Sequence, residues 1–246
     1  MTQVRLAGAS DLPEMHRIWW ATGSTPGKHN PWFAHVLRTG RMVVAIDGDQ
    51  VVGFAGRRMV WQTNVISDCF VDPARQGAGI GTAMLRFLFP LGEPVMTLAS
   101  DDPKAHSLYR RWGMRPVVDC VYLRAKGTER VTMVESDSYP IPSADLPHLR
   151  DDLGCRFVQT QASVAAVTDH SIESSLLASG DDPIAVFGAL LGSNGRVEIQ
   201  MSESHPAFGT FECVETFRDT LMATPDAQIP DPRRVTFNGD LLAVGD

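Results

Sequence analysis

The run Asp72-Pro-Ala-Arg-Gln-Gly-Ala-Gly-Ile-Gly-Thr82 decides the fold of the N-terminal half of the chain. The residues just before it, 64–71, are rich in β-branched and aromatic side chains and predict a strand. After Gly79, apolar residues recur at helical spacing until Pro90 ends the run. A strand, a glycine loop and a helix N-terminus direct several backbone N–H groups to one point, where the helix dipole also favours negative charge. Such a place binds phosphate.

The spacing of the glycines excludes two common nucleotide loops. Gly77, Gly79 and Gly81 alternate, so the G-x-G-x-x-G pattern of dinucleotide-binding proteins fails at Thr82. A Walker loop fails as well, because no lysine lies between positions 28 and 104. The segment 76–81 fits instead the pattern Gln/Arg-x-x-Gly-x-Gly/Ala. It closely resembles the pyrophosphate loop of the GNAT acetyltransferase superfamily. The alternative is an ordinary tight turn.

A second segment, residues 102–114, strengthens this resemblance. Asp102 is a helix cap, Pro103 suits the first helical position and Gly113 closes the helix. The segment resembles the GNAT signature Asn-x-x-Ala-x-x-Leu-Tyr-x-x-x-Gly-Phe, with Met114 in place of Phe. It departs at Asp102, where the family usually has Asn, and an Asp cannot donate the amide hydrogen bond that Asn offers the pantetheine arm. Taken alone, the segment also fits an amphipathic core helix.

The resemblance implies acetyl-CoA (coenzyme A) as the cofactor. The implied cofactor-binding residues lie at the end of the strand (Cys69, Phe70, Val71), in the loop and helix start (Gln76, Gly77, Ala78, Gly79, Ile80, Gly81, Thr82) and on the second helix (Asp102, Ala105, Leu108). It also implies that the strand grips the pantetheine through its backbone, and that an N–H near Val71 faces the oxyanion.

The resemblance assigns Tyr109 as the catalytic residue that protonates the departing thiolate. The position at which many relatives carry a base falls near Val65, which cannot accept a proton. Asp68 is the nearest carboxylate on that strand and is the candidate base, although strand alternation can turn it away from the substrate. Further candidates lie in the segments expected to border the acceptor site, namely Glu14, His16, His29 and His35. We expect Cys69 to be a buried apolar residue and not a nucleophile.

The remaining N-terminal segments complete the expected order of elements. Residues 4–6 predict a strand and 9–19 a helix capped by Ser10 or Asp11. Residues 41–47 and 50–61 predict a hairpin turned by Gly48-Asp49, and 116–124 a closing strand. The predicted order β-α-α-β-β-β-α-β-α-β is that of the GNAT fold, a mixed α/β (α+β) sheet. The segment 19–38 is rich in aromatic residues, which either contact a ligand or pack the two domains together.

Length and charge predict two domains. The chain has 246 residues; residues 1–126 carry 15 Lys+Arg against 10 Asp+Glu, and residues 127–246 carry 7 against 19. The positive half suits an anionic cofactor, and the acidic half argues against nucleic acid as a partner. We therefore expect an acetyl-CoA-binding catalytic domain at 1–126 and a smaller α/β domain at 127–246.

The second half repeats the alternation of strands and helices of the first half but lacks its glycine-loop motif. Residues 131–147 predict a linker, 163–167, 172–178 and 196–201 predict strands, 183–191 a helix, and 208–217 a helix or loop. The loop 179–183 carries Asp181 and Asp182, which would repel a pyrophosphate. This half is similar to the silent domain of tandem GNAT proteins, so we predict a degenerate GNAT-like domain.

The spacing of the cysteines and the hydropathy of the chain predict the compartment in which the protein works. The four cysteines lie far apart, with no Cys-x-x-Cys pair and no His cluster at metal spacing, which predicts a reduced, metal-free cytoplasmic protein. No signal peptide and no apolar run of about 18 residues is present, so we expect no membrane association.

The sequence leaves the substrate open. The first hypothesis is an acyl-CoA-dependent N-acyltransferase, most simply an acetyltransferase, acting on an amine; we expect a small molecule in preference to a protein, and a monomer or homodimer. The alternatives are a noncatalytic acyl-CoA-binding or regulatory module, and an assembly subunit whose acidic half recruits a basic partner.

Overall fold

The computed structural model describes most of the N-terminal half and a set of segments beyond it. The described residues are 2–60, 63–90, 92–126, 134–135, 156–159, 163–170, 173–180, 196–206, 208–210, 212–229 and 231–233. The helix predicted at 183–191, the acidic residues of the loop at 179–183, Cys155 and all of the predicted linker except 134–135 lie outside them.

The first 126 residues follow the predicted order of elements. The elements are β1 (Gln3–Leu6), α1 (Leu12–Ala21), α2 (Pro31–Thr39), β2 (Arg41–Asp47), β3 (Gln50–Val60), β4 (Thr63–Val71), α3 (Ile80–Leu88), β5 (Val95–Ser100), α4 (Pro103–Arg111) and β6 (Arg115–Lys126). Short 3-10 turns precede α1 and follow β4. The predicted cap of α1 is corrected in one respect, because the Asp11 carboxylate accepts from the Gly8 N–H and from Arg5 and makes no side-chain cap to α1.

The chain divides into two compact units. The first holds Met1–Thr97, Ser107–Met114 and Thr224–Gln228, and the second holds Leu98–His106, Arg115–Ala223 and Ile229–Asp246. The late segment of the first unit is tied in by hydrogen bonds from Thr224 N to Val95 O (2.9 Å) and from Gln228 N to Thr63 Oγ1 (2.9 Å). The domain boundary proposed after residue 126 stays a prediction.

The first unit contains strands in the order β1-β2-β3-β4-β5. The first four strands are antiparallel neighbours, whereas β5 runs parallel to β4. The β4–β5 ladder is short, since it pairs Asn64 with Val95 and Val65 with Met96 and then ends. Beyond Val65, β4 is paired with β3 on one side and separates from β5 on the other. We call this second side the parted edge of β4.

Two glycines of β3 show which helix covers which face of this sheet. A Cβ atom on Gly53 would lie 3.1 Å from Met84 Cε of α3, and one on Gly56 would lie 3.3 Å from Val36 Cγ1 of α2. These two positions have opposite parity along the strand, so α3 packs on one face and α2 on the other. The core of α3 is the predicted stripe of Ile80, Met84, Leu85 and Leu88.

The second unit contains strands in the order β12-β6-β11-β10-β9-β8-β7. Beyond β6 these are β7 (Val134–Glu135), β8 (Arg156–Gln159), β9 (Ser163–His170), β10 (Glu173–Gly180), β11 (Arg196–Ser202) and β12 (Cys213–Ala223). The ladder β10–β11 is parallel and the others are antiparallel. The strands predicted at 163–167, 172–178 and 196–201 are confirmed.

The helix or loop predicted at 208–217 is wrong for its second half, because β12 begins at Cys213. Its run Val-Glu-Thr-Phe carries no clear alternation, and a bulge between Glu215 and Phe217 breaks the period further. Within the described residues, no helix combines the length and apolar character that crossing a membrane requires.

Candidate active site

The loop after β4 is held at its entry by Asp72. Its Oδ1 atom accepts the Ala74 N–H (3.0 Å) and caps the short turn, while Oδ2 accepts from Arg17 Nη1 (2.9 Å). Arg17 also donates through Nη2 to the Val51 carbonyl (2.8 Å), so α1, β3 and the loop meet at one guanidinium. The Arg17 hydrogen bond holds the pKa of Asp72 below its usual range. Sequence patterns gave no signal for this contact, whose partners lie 55 positions apart.

The N-terminus of α3 presents free backbone donors. Gly79 is the N-cap and lies in the left-handed region, with φ of 78°. The first intrahelical hydrogen bond runs from Ala83 N to Gly79 O (3.0 Å), so the N–H groups of Ile80, Gly81 and Thr82 precede it. These three N–H groups point along the helix axis toward its N-terminus, where the dipole is positive and the exposed loop 73–79 lies. An anion is the ligand that this arrangement stabilises.

The three alternating glycines have two different roles. A Cβ atom on Gly77 or Gly79 would meet nothing within 4 Å, so these positions are glycine because of their positive φ and the open space beside them. A Cβ atom on Gly81 would lie 3.1 Å from Leu108 Cδ2 and 3.8 Å from Cys69 Sγ. Gly81 therefore allows the close approach of α3, α4 and β4, and it brings three of the predicted cofactor residues together.

The parted edge of β4 carries backbone groups of the predicted pantetheine strand. Asp72 N donates to Val52 O (2.9 Å) on the β3 side. Because successive residues of a strand alternate, the Val71 N–H points to the opposite edge, beyond the end of the β4–β5 ladder. The Val71 carbonyl accepts from Gln76 Nε2 (3.3 Å), which links this edge to the loop. The Phe70 ring packs on Phe54 (5.3 Å between centroids), and by the same alternation the Phe70 N–H and carbonyl face β3, so Phe70 presents no backbone group at the parted edge.

Cys69 is a half-buried residue whose thiol packs toward α3. Burial, reinforced by the neighbouring Asp68 carboxylate, raises the pKa of Cys69 to about 12. The thiol is therefore protonated at neutral pH, and a protonated thiol is a poor nucleophile. This supports the interpretation of Cys69 as an apolar packing residue.

Helix α4 has the predicted ends. Asp102 Oδ1 accepts the Lys104 N–H (2.8 Å), Pro103 follows at the first position, and Gly113 has a φ of 79°. The Asp102 side chain thus caps the helix, a role that Asn and Asp fill equally well. Tyr109 is 6% exposed, and Leu108 beside it contacts the start of α3.

Asp68 lies on the other face of β4. A bulge shifts the β3–β4 register from Gly56–Asp68 to Arg57–Ile66, so Ser67 is the extra residue. Asp68 is 6% exposed, and its Oδ2 atom would lie 3.0 Å from a Cβ atom on Gly56, on the face covered by α2. The structure therefore groups Cys69, Gly81 and Leu108 on the α3 face and places Asp68 on the α2 face.

The other candidate bases in the N-terminal helices have structural contacts. His16 Nε2 accepts the Asn30 N–H (3.0 Å), so Nδ1 carries the proton and donates to the Leu12 carbonyl (2.8 Å). Both ring nitrogens of His16 are engaged, which leaves no lone pair for a base. Glu14 accepts from Arg17 Nε (2.7 Å), and His35 is buried and stacked on Trp32 (5.1 Å).

Rings of the aromatic segment 19–38 pack against α1 and β3 of the first unit. Rings are in contact from His16 to Phe33 (5.1 Å), from Phe33 to Phe54 (5.0 Å) and on to Phe70. His29 stacks on His16 at 5.0 Å, and Arg58 lies over the ring of Trp32 at 4.9 Å. This chain of rings connects α1 and α2 to the strand that ends at the loop.

Comparison with known proteins identifies this arrangement. Residues 38–115 match the acetyltransferase (GNAT) domain family, and this segment includes the loop, α3 and α4. This match concerns residues 38–115 alone, which are similar to a family of acetyltransferases. The similarity supports acyl transfer as the general activity. A comparison with curated proteins gives no match.

Solved structures share the fold over most of the chain. A putative acetyltransferase from Pyrococcus horikoshii has a TM-score of 0.77 and 17% identity, and the match covers 99% of this chain and 93% of that one. A tandem GNAT protein from the clavulanic acid biosynthesis pathway has a TM-score of 0.62 and 14% identity, with 91% and 98% covered. A GCN5-related N-acetyltransferase from Sphaerobacter thermophilus gives 0.60 and 13%, with 91% and 95% covered. At these identities the likeness concerns the fold alone.

Proposed function

We propose that the GNAT domain of this chain transfers an acetyl group from acetyl-CoA to a primary amine. The observation that carries the proposal is the N-terminus of α3, where three backbone N–H groups and left-handed Gly79 face an open loop directly after β4. The parted edge of β4 lies directly before this loop, and the buried Tyr109 lies on α4 next to Leu108, which contacts Gly81.

The residues present fit coenzyme A. The pyrophosphate would be held by the backbone of residues 77–82, where Gly77 and Gly79 leave space for it. The edge of β4 at Cys69 and Val71 would pair with the amides of the pantetheine arm, as the family resemblance implies. Gly81 lets α3 and α4 pack closely beside this edge, because a Cβ atom at position 81 would lie only 3.1 Å from Leu108 Cδ2. Asp102 caps α4 and accepts hydrogen bonds, so it cannot replace an asparagine amide as a donor.

When bound, acetyl-CoA supplies an acetyl group activated as a thioester. The Val71 N–H is placed to polarise a carbonyl oxygen at the parted edge of β4. A tyrosine hydroxyl is protonated at neutral pH, because its ordinary pKa is about 10, so Tyr109 holds a proton that a departing thiolate can accept. Asp68 is the candidate acceptor for the amine proton, acting from the α2 face directly or through water.

We further propose a small-molecule amine as the acceptor, a cytoplasmic setting and a monomer or homodimer. Cys69, Cys120 and Cys213 are free thiols within the described residues, which supports a reducing compartment. The degenerate GNAT-like character of the second half belongs to the same proposal.

A noncatalytic acyl-CoA-binding module is the second candidate. Two observations favour it, namely the Asp68 carboxylate on the α2 face and the capping role of Asp102. Release of free thiol from acetyl-CoA, measured over a panel of amines, separates the two functions. Turnover on at least one amine supports transfer, whereas tight acetyl-CoA binding with no turnover on any amine supports the binding module and contradicts the proposal.

A further inference from the structure

A side-chain hydrogen bond lies at the point where β4 and β5 separate. The parallel ladder of these strands joins only residues 64–65 to residues 95–96. One further step of a parallel ladder would give the Ile66 carbonyl an N–H donor from the backbone of β5. The Ile66 carbonyl instead accepts the hydroxyl of Thr97, with 3.0 Å between Oγ1 and O. A threonine hydroxyl therefore ends the ladder where the parted edge of β4 begins.

Burial makes this hydrogen bond decide between two arrangements of the strands. Ile66 is 3% exposed and Thr97 is 2% exposed, so water does not reach the bond. Buried carbonyl groups are almost always paired, so the Ile66 oxygen takes either the Thr97 hydroxyl or a backbone donor of β5. The first choice keeps the strands apart beyond Val65. The second extends the ladder by one step along the parted edge.

Asn64 holds the two strands together on the paired side of this point. Its backbone N–H donates to the Pro94 carbonyl (3.0 Å), and its Nδ2 donates to the same carbonyl (3.2 Å) and to Glu93 Oε2 (2.9 Å). Glu93 Oε2 also accepts from Arg57 Nη2 (3.1 Å) on β3. Three hydrogen bonds from one residue therefore fix the start of β5 against β4, although the ladder itself is short.

Arg57 ties the same junction to the helix that carries the candidate pyrophosphate site. Its Nη1 donates to the carbonyl of Leu88, the last residue of α3 (2.8 Å), and its guanidinium lies over the Phe89 ring at 5.3 Å. A cation at a helix C-terminus is favourable, since the dipole is negative there. The opposite end of α3 presents the N–H groups of residues 80–82. The closed end of the two strands and α3 thus share one anchor, and Thr97 alone lies where the strands begin to part.

The length of the parted edge determines how much backbone an extended ligand can pair with. A bulge at Ser67 follows Ile66, and the edge continues to the Val71 N–H before the loop. From Ile66 to Val71 this edge is about 16 Å long, at about 3.3 Å per residue. An extended ligand that pairs like a strand needs a continuous row of backbone groups. One more ladder step would occupy the first group of that row.

We propose that Thr97 is a positioning residue for cofactor binding. Its hydroxyl holds β4 and β5 apart at Ile66 and so sets the length of edge that the pantetheine arm pairs with. This inference rests on the proposed function and adds to it a residue outside the glycine loop and α4. Thr97 acts through the edge of β4, so it affects the pantetheine arm and leaves the site at the start of α3 unchanged.

The test is calorimetric titration of the full chain with acetyl-CoA and with ADP, which has the pyrophosphate but no pantetheine arm. Thr97→Val removes the hydroxyl and keeps the branched shape, so the affinity for acetyl-CoA should fall about fivefold or more, the size of one buried hydrogen bond. The affinity for ADP should stay within about twofold of the wild type, because the backbone donors of α3 are unchanged. Thr97→Ser keeps the hydroxyl and should retain most of the acetyl-CoA affinity.

Thr63→Val is the matched control. Thr63 is a buried threonine of β4 whose Oγ1 accepts the Gln228 N–H (2.9 Å), away from the parted edge. Its loss should leave the ratio of acetyl-CoA affinity to ADP affinity at the wild-type value.

The outcomes separate this inference from the proposed function. Wild-type acetyl-CoA affinity in folded Thr97→Val, or an equal loss for acetyl-CoA and ADP, would overturn the role of Thr97 and leave acetyl transfer in place. If Thr97→Val does not fold, wild-type affinity in Thr97→Ala would overturn it in the same way. A wild type that binds no acetyl-CoA would overturn the proposed function and this inference with it.

Discussion

Leu108 Cδ2 lies 3.1 Å from the point that a Cβ atom on Gly81 would occupy. This contact fixes how closely the second helix of the site approaches the first, because Gly81 lies in the opening turn of α3 and Leu108 on α4. The requirement is for a small residue and not for an unusual backbone, since Gly81 has no positive φ.

Enlarging Gly81 tests this contact. Gly81→Ala should change the free energy of unfolding by only about 1 kcal/mol, because the atom it meets is the end of a flexible side chain and alanine favours the helix. Gly81→Val should weaken acetyl-CoA binding by about tenfold or more, as α3 and α4 are pushed apart. The double variant Gly81→Val/Leu108→Ala should recover part of that affinity in a calorimetric titration. A loss of affinity that Leu108→Ala leaves unchanged would show that the contact does not position the loop.

Tyr109→Phe tests the proton donor. The ring stays in place, so unfolding should change by about 1 kcal/mol, whereas kcat should fall by about 100-fold and KM for acetyl-CoA should hardly move. The matched control is Thr39→Val, which removes a hydroxyl that donates to the His35 carbonyl (2.9 Å) in the same unit. Full turnover by Tyr109→Phe, with chemistry shown to be rate-limiting, would make Tyr109 a packing residue.

Asp68→Asn tests the candidate base. We expect kcat to fall by about 100-fold and the acidic limb of the pH–rate profile to disappear, because the amide cannot accept the amine proton. Asp11→Asn removes another buried carboxylate of the first unit, bonded to Arg5 (2.8 Å), and should lose stability without changing the shape of that profile. An unaltered acidic limb in Asp68→Asn would remove Asp68 from the mechanism.

The Arg17–Asp72 ion pair makes stability depend on pH. The Arg17 hydrogen bond lowers the pKa of Asp72 in the folded state, so the pair stabilises fully above the unfolded pKa of about 3.9 and loses this effect as pH falls through the folded pKa. Arg17→Gln removes this pair together with the Arg17–Glu14 contact, so it should cost about 1 kcal/mol at pH 7 and less near pH 2, in urea unfolding. Exposed Arg86→Gln should show no such dependence. A cost of Arg17→Gln that is equal at both pH values would assign the effect to the Val51 contact.

The sequence predicted the N-terminal elements because their signals are local. The β-branched run before Asp72, the positive-φ glycines and the Pro90 stop each act within a few residues, and β4, the loop and α3 follow from them. The same reasoning identified the ends of α4 from Asp102, Pro103 and Gly113.

The features that sequence reasoning missed depend on distant contacts. Thr224 is hydrogen-bonded to Val95, and Arg17 to Asp72. The partners lie far apart in the chain, so no local sequence pattern predicts these contacts. The face on which Asp68 lies depends on the bulge at Ser67, which breaks the strand alternation. For β12, irregular alternation around its bulge concealed a long strand.

The most direct test of the central claim is calorimetric titration of acetyl-CoA into the wild type, Gly79→Asp and Gly79→Asn. Both side chains enter open space and tolerate the left-handed backbone to a similar degree, so the two variants differ mainly in charge. If the start of α3 holds the pyrophosphate, the wild type binds, Gly79→Asp loses about 100-fold or more in affinity, and Gly79→Asn loses much less. Equal affinities of folded Gly79→Asp and Gly79→Asn, or no binding by the wild type, would contradict the account.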